Sequence, residues 1–150
     1  MKNVLVVSDS HGNKENLKTL IETGNYDYVF FLGDLISDVS EVKHNNLIKV
    51  RGNWDVNFTV KGTEVLQIEG VKIMLTHGHA FGVKTGIDKL ISKAKKLNVK
   101  LVCYGHTHVA NFVEIDGIGF LNPGAYSSFK GGKGTCATLK IDGEKIYVNM

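Results

Sequence analysis

Residues 4–34 read VLVVSDSHGNKENLKTLIETGNYDYVFFLGD, and this stretch decides the expected architecture. Its two apolar runs, residues 4–7 and 28–32, are short and rich in β-branched and aromatic residues, which predicts buried strands. Between them, apolar residues at helical spacing predict an α-helix that Asn13 caps and Gly24 ends. A β-α-β unit of this kind joins two parallel strands by a right-handed crossover, with the helix over one face.

The rest of the chain extends this pattern into a second sheet. Residues 47–50 predict a third parallel strand, preceded by a short helix over residues 38–44, and a longer helix is expected over residues 85–97. Further strands are expected at residues 64–68, 71–75, 101–104, 112–115, 118–121, 138–141 and 145–148, with hairpin turns at residues 69–70, 116–117 and 142–143. The sequence therefore predicts an α/β fold, a four-layer α/β/β/α sandwich of two mixed sheets with flanking helices.

The composition is ordinary for one globular domain. The chain has 150 residues, of which 43% are hydrophobic and 22% charged, and this predicts a single domain over residues 1–150. The apolar run at residues 4–7 is too short for a signal peptide, and no run approaches the ~20 residues of a membrane span, so we expect a cytoplasmic protein. Cys103 is expected to be a buried, reduced thiol. A net charge of +3 does not indicate a nucleic-acid partner.

Five polar motifs directly follow predicted strands. They are Asp9-Ser10-His11, Gly33-Asp34, Gly52-Asn53, His77-Gly78-His79 and Gly105-His106-Thr107-His108. In an open α/β sheet, ligands bind at the carboxyl ends of the strands, where the loops converge. We therefore expect the five motifs to meet at one site. His44 belongs to none of them and is expected at the surface.

The motifs together supply the donors of a metal site. Seven residues offer carboxylate, imidazole or amide ligands, namely Asp9, His11, Asp34, Asn53, His77, His106 and His108. Because seven donors are too many for one ion that keeps an open position, they fit two divalent ions that share a carboxylate. Mn²⁺ is the expected metal, with Fe, Ni²⁺ or Zn²⁺ as alternatives, since no cysteine lies in any motif. Such a pair of ions can clamp the attacking and leaving oxygens at a phosphorus atom.

The order D-x-H, G-D, G-N, H and G-H-x-H resembles the calcineurin-like metallophosphoesterase superfamily, and especially its small bacterial and archaeal phosphodiesterase branch. The match runs from Asp9 to the Asn122-Pro123-Gly124 turn, and the last hairpin fits as well. The resemblance implies the same four-layer sandwich. It also implies the role of each ligand: Asp9, His11 and His108 at the first metal, Asn53, His77 and His106 at the second, and Asp34 bridging both.

The activity that the resemblance implies is hydrolysis of a small phosphodiester by in-line attack of a hydroxide bridging two metals. Two other functions stay open. A phosphomonoesterase would use the same site, and some members of the superfamily are non-catalytic interaction scaffolds. Against a scaffold, all seven ligand positions hold competent donors. The physiological substrate and the oligomeric state stay open, although a homodimer is common in proteins that resemble this chain.

Position 54 departs from the superfamily pattern. Many members carry a histidine there that assists the leaving group, whereas the indole of Trp54 cannot act as a general acid near neutral pH. His79 is the candidate catalytic substitute, with a purely structural role as the alternative. We therefore expect diesters with acidic leaving groups to react best.

Several further features have two interpretations each. Asp55 either orients a ligand or does structural work, and Arg51 fits a structural role better than substrate binding. Ala125 stands where the superfamily usually has serine, and Ser127 or Ser128 are the candidate replacements. Residues 130–134 form no P-loop and are expected to be a mobile loop near the site. Six lysines between residues 84 and 100 indicate a solvated helix face rather than a polyanion-binding patch.

Overall fold

The computed structural model describes residues 1–127 and 134–150, which form two five-stranded sheets and two α-helices. The strands are β1 (Lys2–Val7), β2 (Tyr28–Phe31), β3 (Leu47–Lys49), β4 (Thr63–Ile68), β5 (Val71–Thr76), β6 (Leu101–Cys103), β7 (Asn111–Ile115), β8 (Ile118–Asn122), β9 (Ala137–Asp142) and β10 (Lys145–Asn149). The helices are α1 (Lys14–Thr23) and α2 (Asp88–Leu97).

Both sheets are mixed, as the sequence predicts. The first has the strand order β10-β9-β1-β2-β3, in which β1, β2 and β3 are parallel and β9 runs antiparallel to β1. The second has the order β4-β5-β6-β8-β7, in which β5, β6 and β8 are parallel and the edge strands β4 and β7 are antiparallel to their neighbours. The three predicted hairpins join β4 to β5, β7 to β8 and β9 to β10.

Burial on both faces of β1 shows how the layers stack. Val4 and Val6 point into the core between the two sheets, where they join residues of β5, β6 and β9. Leu5 and Val7 point to the other face and pack with Leu17 of α1. The helix α2 covers the outer face of the second sheet in the same way. This arrangement explains the unbroken apolar runs, because a strand covered on both faces has no solvent side.

Three local predictions are corrected by the structure. Residues 38–44 do not form a helix; a short 3₁₀ turn, Ile36–Val39, stands there, because the buried carboxylate of Asp38 bonds back to the loop after β1. The helix α2 begins at Asp88 rather than at residue 85, after a separate 3₁₀ turn over Val83–Thr85. Asn13 does precede α1 but makes no side-chain cap; its amide donates to the Tyr126 carbonyl instead.

The remaining expectations concern cysteines and membrane spans. Cys103 is fully buried and unpaired, as predicted, and burial raises the pKa of its thiol. Cys136 is also a free thiol. Among the residues that the structure describes, no helix has the length and apolar character needed to cross a bilayer.

The core between the sheets gives a direct stability prediction. Val6→Ala removes two buried methyl groups from a side chain that is 0% exposed, which should lower the free energy of unfolding by about 2–3 kcal/mol. Val65→Ala on β4 is the matched control, since that side chain is 40% exposed, and it should cost less than about 1 kcal/mol. Chemical denaturation of both variants measures the difference. Equal losses would contradict the layer assignment.

Candidate metal centre

The five polar motifs meet where parallel strands of both sheets end. Backbone bonds join the loops: the Asp9 N–H donates to the Gly33 carbonyl at 2.9 Å, and the Gly105 N–H donates to the His77 carbonyl at 2.9 Å. Across the sheets, the His106 N–H donates to Oδ2 of Asp9 at 3.0 Å. The predicted convergence at one edge is therefore present in the structure.

Asp9, His11 and His108 form the first cluster, with one donor atom from each lying within 4.8 Å of the others. Oδ1 of Asp9 is 3.6 Å from Nε2 of His11 and 3.2 Å from Nε2 of His108. Oδ1 of Asp9 and Nε2 of His11 are buried and have no hydrogen-bond partner among the described residues. Buried polar atoms normally have hydrogen-bond partners, so a carboxylate oxygen and an imidazole nitrogen that face each other without one fit a cation site.

Asp34, His77 and His106 form the second cluster, again within 4.8 Å of one another. Nε2 of His77 is 3.1 Å from Oδ2 of Asp34 and 3.3 Å from Nδ1 of His106. The other ring nitrogen, Nδ1 of His77, lies 2.7 Å from the Leu32 carbonyl, to which it donates. This bond fixes the ring so that its second nitrogen faces the cluster, which is how metal-binding histidines are usually oriented.

The two clusters adjoin, and their charges are coupled. Oδ1 of Asp9 lies 3.8 Å from Nε2 of His77. Burial favours the neutral forms of Asp34 and His77, but the hydrogen bond between them, their other hydrogen bonds and the nearby charges together outweigh it: the pKa of Asp34 is lowered and that of His77 is raised. A carboxylate and an imidazole nitrogen so close together require a proton or a metal cation between them. The carboxylate and imidazole donors of the two clusters therefore fit two adjacent cations of hard or borderline Lewis acidity.

Glycine is the one residue that fits at two positions against the carboxylates. A Cβ atom at Gly52 would lie 2.1 Å from Oδ1 of Asp34, and one at Gly105 would lie 2.6 Å from Oδ2 of Asp9. The G-N and G-H-x-H motifs thus need their glycines because the backbone approaches a carboxylate directly.

The backbone is strained at five of the candidate ligands. Left-handed φ values occur at Asp9 (54°), His11 (40°), Asp34 (56°), His106 (74°) and His108 (65°). For residues other than glycine, this region costs about 1 kcal/mol or more each. Such strain persists only where surrounding contacts impose it, and it concentrates at functional sites. No signal in the sequence indicates this feature.

Asp55 supplies part of those contacts. It is 8% exposed and accepts three backbone N–H groups, those of Asp34 (2.9 Å), Gly52 (2.8 Å) and Ile36 (2.8 Å). The side chain therefore ties the loop that follows β2, including the first residue of the 3₁₀ turn Ile36–Val39, to the loop that follows β3. Both interpretations of Asp55 hold in part, because this structural work positions the backbone of Asp34.

Two further supporting residues carry no signal in the sequence. The Asp38 carboxylate accepts from Oγ of Ser10 (2.6 Å) and from the Gly12 N–H (2.8 Å), which pins the D-x-H loop. Oγ of Ser8 donates to Oδ2 of Asp9 at 2.6 Å. Asn122, in the turn that the sequence does single out, donates to the Gly105 carbonyl (3.2 Å) and so holds the G-H-x-H loop.

The other candidate residues occupy the rim of the site. Asn53 is exposed. Both of its neighbours are held through their backbone: the Gly52 N–H donates to the Asp55 carboxylate, and the Trp54 N–H donates to Oδ1 of Asp34 at 3.0 Å. The ring of His79 lies 5.5 Å from that of His77, and partial burial, followed by the charge of His77, lowers the pKa of His79.

Arg51 and the six lysines of residues 84–100 have different surroundings. Arg51 has a structural role: its guanidinium lies 4.9 Å over the Phe58 ring and donates to the Val60 carbonyl. The six lysines of residues 84–100 are all exposed, as predicted. Lys84 differs from the rest because its charge contributes to lowering the pKa of His106, after burial and the charge of His77.

Residues 128–133, which include Ser128 and most of the predicted loop at 130–134, lie outside the described residues.

Comparison with known proteins gives a family and several relatives. The family model described as the calcineurin-like phosphoesterase superfamily domain matches residues 1–144. The probable metallophosphoesterase YsnB of Bacillus subtilis is 31% identical over 82% of this chain and 74% of its own. Phosphodiesterase MJ0936 of Methanocaldococcus jannaschii is 27% identical over 91% and 92%. The structure of Entamoeba histolytica Vps29 complexed with Zn²⁺ superposes with a TM-score of 0.79 at 25% identity, covering 97% and 89% of the two chains.

Proposed function

This chain belongs to the calcineurin-like phosphoesterase superfamily, and from that membership we propose that it is a dinuclear metal-dependent phosphodiesterase. The observation that carries the proposal is the pair of adjoining clusters, in which the buried atoms Asp9 Oδ1 and His11 Nε2 have no hydrogen-bond partner among the described residues. A closed structural metal site would hold four ligands, commonly with cysteine, and would leave no position open for a substrate.

The chain's own residues then have distinct tasks. Asp9, His11 and His108 would hold one ion, and Asp34, His77 and His106 the other. We add, from the family resemblance, that Asn53 would be a further ligand of the second ion and that Asp34 would be shared between the two. Two bound divalent ions would supply Lewis-acid stabilisation of the phosphoryl oxygens and lower the pKa of water. The Leu32 carbonyl and the Trp54 N–H keep His77 and Asp34 aimed at the centre without further rearrangement.

The arrangement of cations near the centre favours a diester over a monoester. A phosphomonoester carries a second negative charge, which specialist sites meet with arginine or lysine donors. Arg51, the one arginine of the chain, contacts Phe58 and the Val60 carbonyl, and its charge makes only a minor contribution to lowering the pKa of His79, after burial and the charge of His77. Lys84 is the lysine whose charge reaches His106, and its side chain is exposed. A diester monoanion needs no more positive charge than the two metal ions provide.

Metal removal tests the proposal. Metal-stripped protein should not hydrolyse bis(p-nitrophenyl) phosphate, and about two equivalents of Mn²⁺ per chain should restore turnover, because the ions supply the electrostatic stabilisation of the reaction. Binding of each metal is measured separately by calorimetry. Turnover that is independent of metal would contradict the proposal. Bound metal without turnover on any diester would favour an interaction scaffold instead.

His79 is proposed to assist the leaving group, since its ring lies beside that of His77 at the rim of the centre. His79→Gln should slow hydrolysis of methyl phenyl phosphate by about 10²-fold, but slow that of bis(p-nitrophenyl) phosphate by less than about threefold, because p-nitrophenolate leaves unaided. Since donation requires protonated His79 and burial lowers its pKa, the wild-type advantage on the poorer leaving group should fall as pH rises. Equal losses on both diesters would contradict the assignment.

A further inference from the structure

Trp54 is the most conspicuous apolar side chain at the mouth of the site. It is 68% exposed, although burying an indole is normally favourable. Its backbone N–H donates to Oδ1 of Asp34 at 3.0 Å, and its ring lies 6.4 Å from the ring of His11 at an angle of 86°. The same residue therefore touches a ligand of each metal cluster, one through its backbone and one through its ring.

The exposure of Trp54 is imposed by its neighbours. Asp55, the next residue, is buried and accepts three backbone N–H groups, so the chain is held with position 55 inward and position 54 outward. The contact with His11 is T-shaped, at an interplanar angle of 86°, and it leaves Trp54 68% exposed, so aromatic surface remains available for a further contact. The result is an exposed indole whose backbone is held in place beside the candidate metal centre.

We propose that Trp54 is a stacking platform for a planar aromatic substituent of the phosphodiester, which makes nucleotide-type and aryl diesters the preferred substrate class. The inference rests on the proposed phosphodiesterase function. A phosphoryl group held at the first cluster would bring an ester substituent near His11, and the Trp54 indole, 6.4 Å from that ring, is an exposed aromatic surface within reach that is not itself a candidate metal ligand. Stacking on an indole suits such a ring because every nucleobase or aryl group has a π-face.

The charges around the platform agree with this occupant. The Arg51 guanidinium stacks on Phe58 rather than on Trp54. Arg51 therefore does not cover the exposed indole. A neutral ring attached to a monoanionic phosphate matches an uncharged apolar face beside a cationic centre better than an alkyl or sugar group alone does.

Fluorescence tests the platform without any turnover, because Trp54 is the one tryptophan of the chain. The Mn²⁺-loaded protein is titrated with thymidine 5′-monophosphate, phenyl phosphate and methyl phosphate. Quenching by thymidine monophosphate, by phenyl phosphate or by both, with little by methyl phosphate, supports stacking, and the two aromatic probes distinguish a nucleobase preference from a general aryl preference. Equal quenching by all three, or none, would overturn the proposal.

Kinetics test the consequence for specificity. Thymidine 5′-(p-nitrophenyl phosphate) and ethyl p-nitrophenyl phosphate release the same p-nitrophenolate, so the ratio of their kcat/KM values isolates the second substituent. Trp54→Leu should lower this ratio about tenfold, whereas Trp54→Phe should keep most of it. Val56→Ala is the control, since Val56 is 84% exposed two residues away, and it should leave the ratio unchanged.

An unchanged ratio in Trp54→Leu, or an equal fall in Val56→Ala, would overturn the proposal; the second result would show that the preference does not depend on the indole of Trp54. If the protein is not a phosphodiesterase, the outcome of the kinetic experiment is different. In that case the wild-type protein would hydrolyse neither ester, while the fluorescence titration would still report whether an aromatic phosphate stacks on Trp54.

Discussion

Asp34→Asn should reduce metal-dependent hydrolysis of bis(p-nitrophenyl) phosphate by at least about 10³-fold. The substitution keeps the size and shape of a side chain that is 1% exposed, and an amide oxygen can still accept the Trp54 N–H. What it removes is the negative charge that faces Nε2 of His77 at 3.1 Å. Without that charge, a shared ligand cannot neutralise two cations, so the number of tightly bound metal ions per chain should fall from two to one or none.

Asp116→Asn provides the matched control, because this aspartate pairs with Lys95 at the surface, away from the site. It should change kcat/KM by less than about twofold. Both variants are assayed with the same metal, and bound metal is counted by plasma emission spectroscopy after gel filtration. An Asp34→Asn protein that keeps two ions and activity within tenfold of the wild type would show that Asp34 is not the shared ligand.

The layers of the fold follow from the sequence because of two-sided burial. In β1, Val4 and Val6 face one layer while Leu5 and Val7 face another, so both faces demand apolar residues and the run is unbroken. The hairpins were equally predictable, since each turn between the antiparallel strands carries an acidic residue followed by glycine.

The failure at residues 38–44 has a tertiary cause. Nothing local distinguishes Asp38 from a solvent-facing helix residue, yet its carboxylate is buried against Ser10 and Gly12, 26 to 28 residues earlier. That contact holds the segment in a 3₁₀ turn, Ile36–Val39. Long-range contacts of this kind override local propensity and cannot be read from periodicity.

The candidate site was likewise predictable only in part. The order and type of the ligand motifs predict which side chains meet, because the carboxyl ends of parallel strands share an edge. The left-handed backbone at the candidate ligands and the support from Asp55 depend on how the loops after β2 and β3 are bonded together, which no motif records. The motifs therefore predict the donors, while the geometry that aims them needs the structure.

Gly52→Ala should lower metal-dependent kcat/KM by about 10²-fold or more, with a parallel loss of metal affinity. The added Cβ atom would lie 2.1 Å from Oδ1 and 2.7 Å from Cγ of Asp34, so the carboxylate must move by more than about 1 Å. It has little room to do so. The Trp54 N–H holds Oδ1, and Asp55 holds the backbone N–H groups of both Asp34 and Gly52.

Gly62→Ala separates this steric effect from the general cost of replacing glycine. A Cβ atom at Gly62 would meet Nη2 of Arg51 at 3.9 Å, an ordinary contact, and neither glycine has the positive φ that disfavours alanine. Metal titration and diester hydrolysis of the two variants should therefore differ by about the full 10²-fold. If Gly52→Ala binds metal as the wild type does, the Asp34 carboxylate can shift without consequence, and its fixed position in the second cluster is not what metal binding requires.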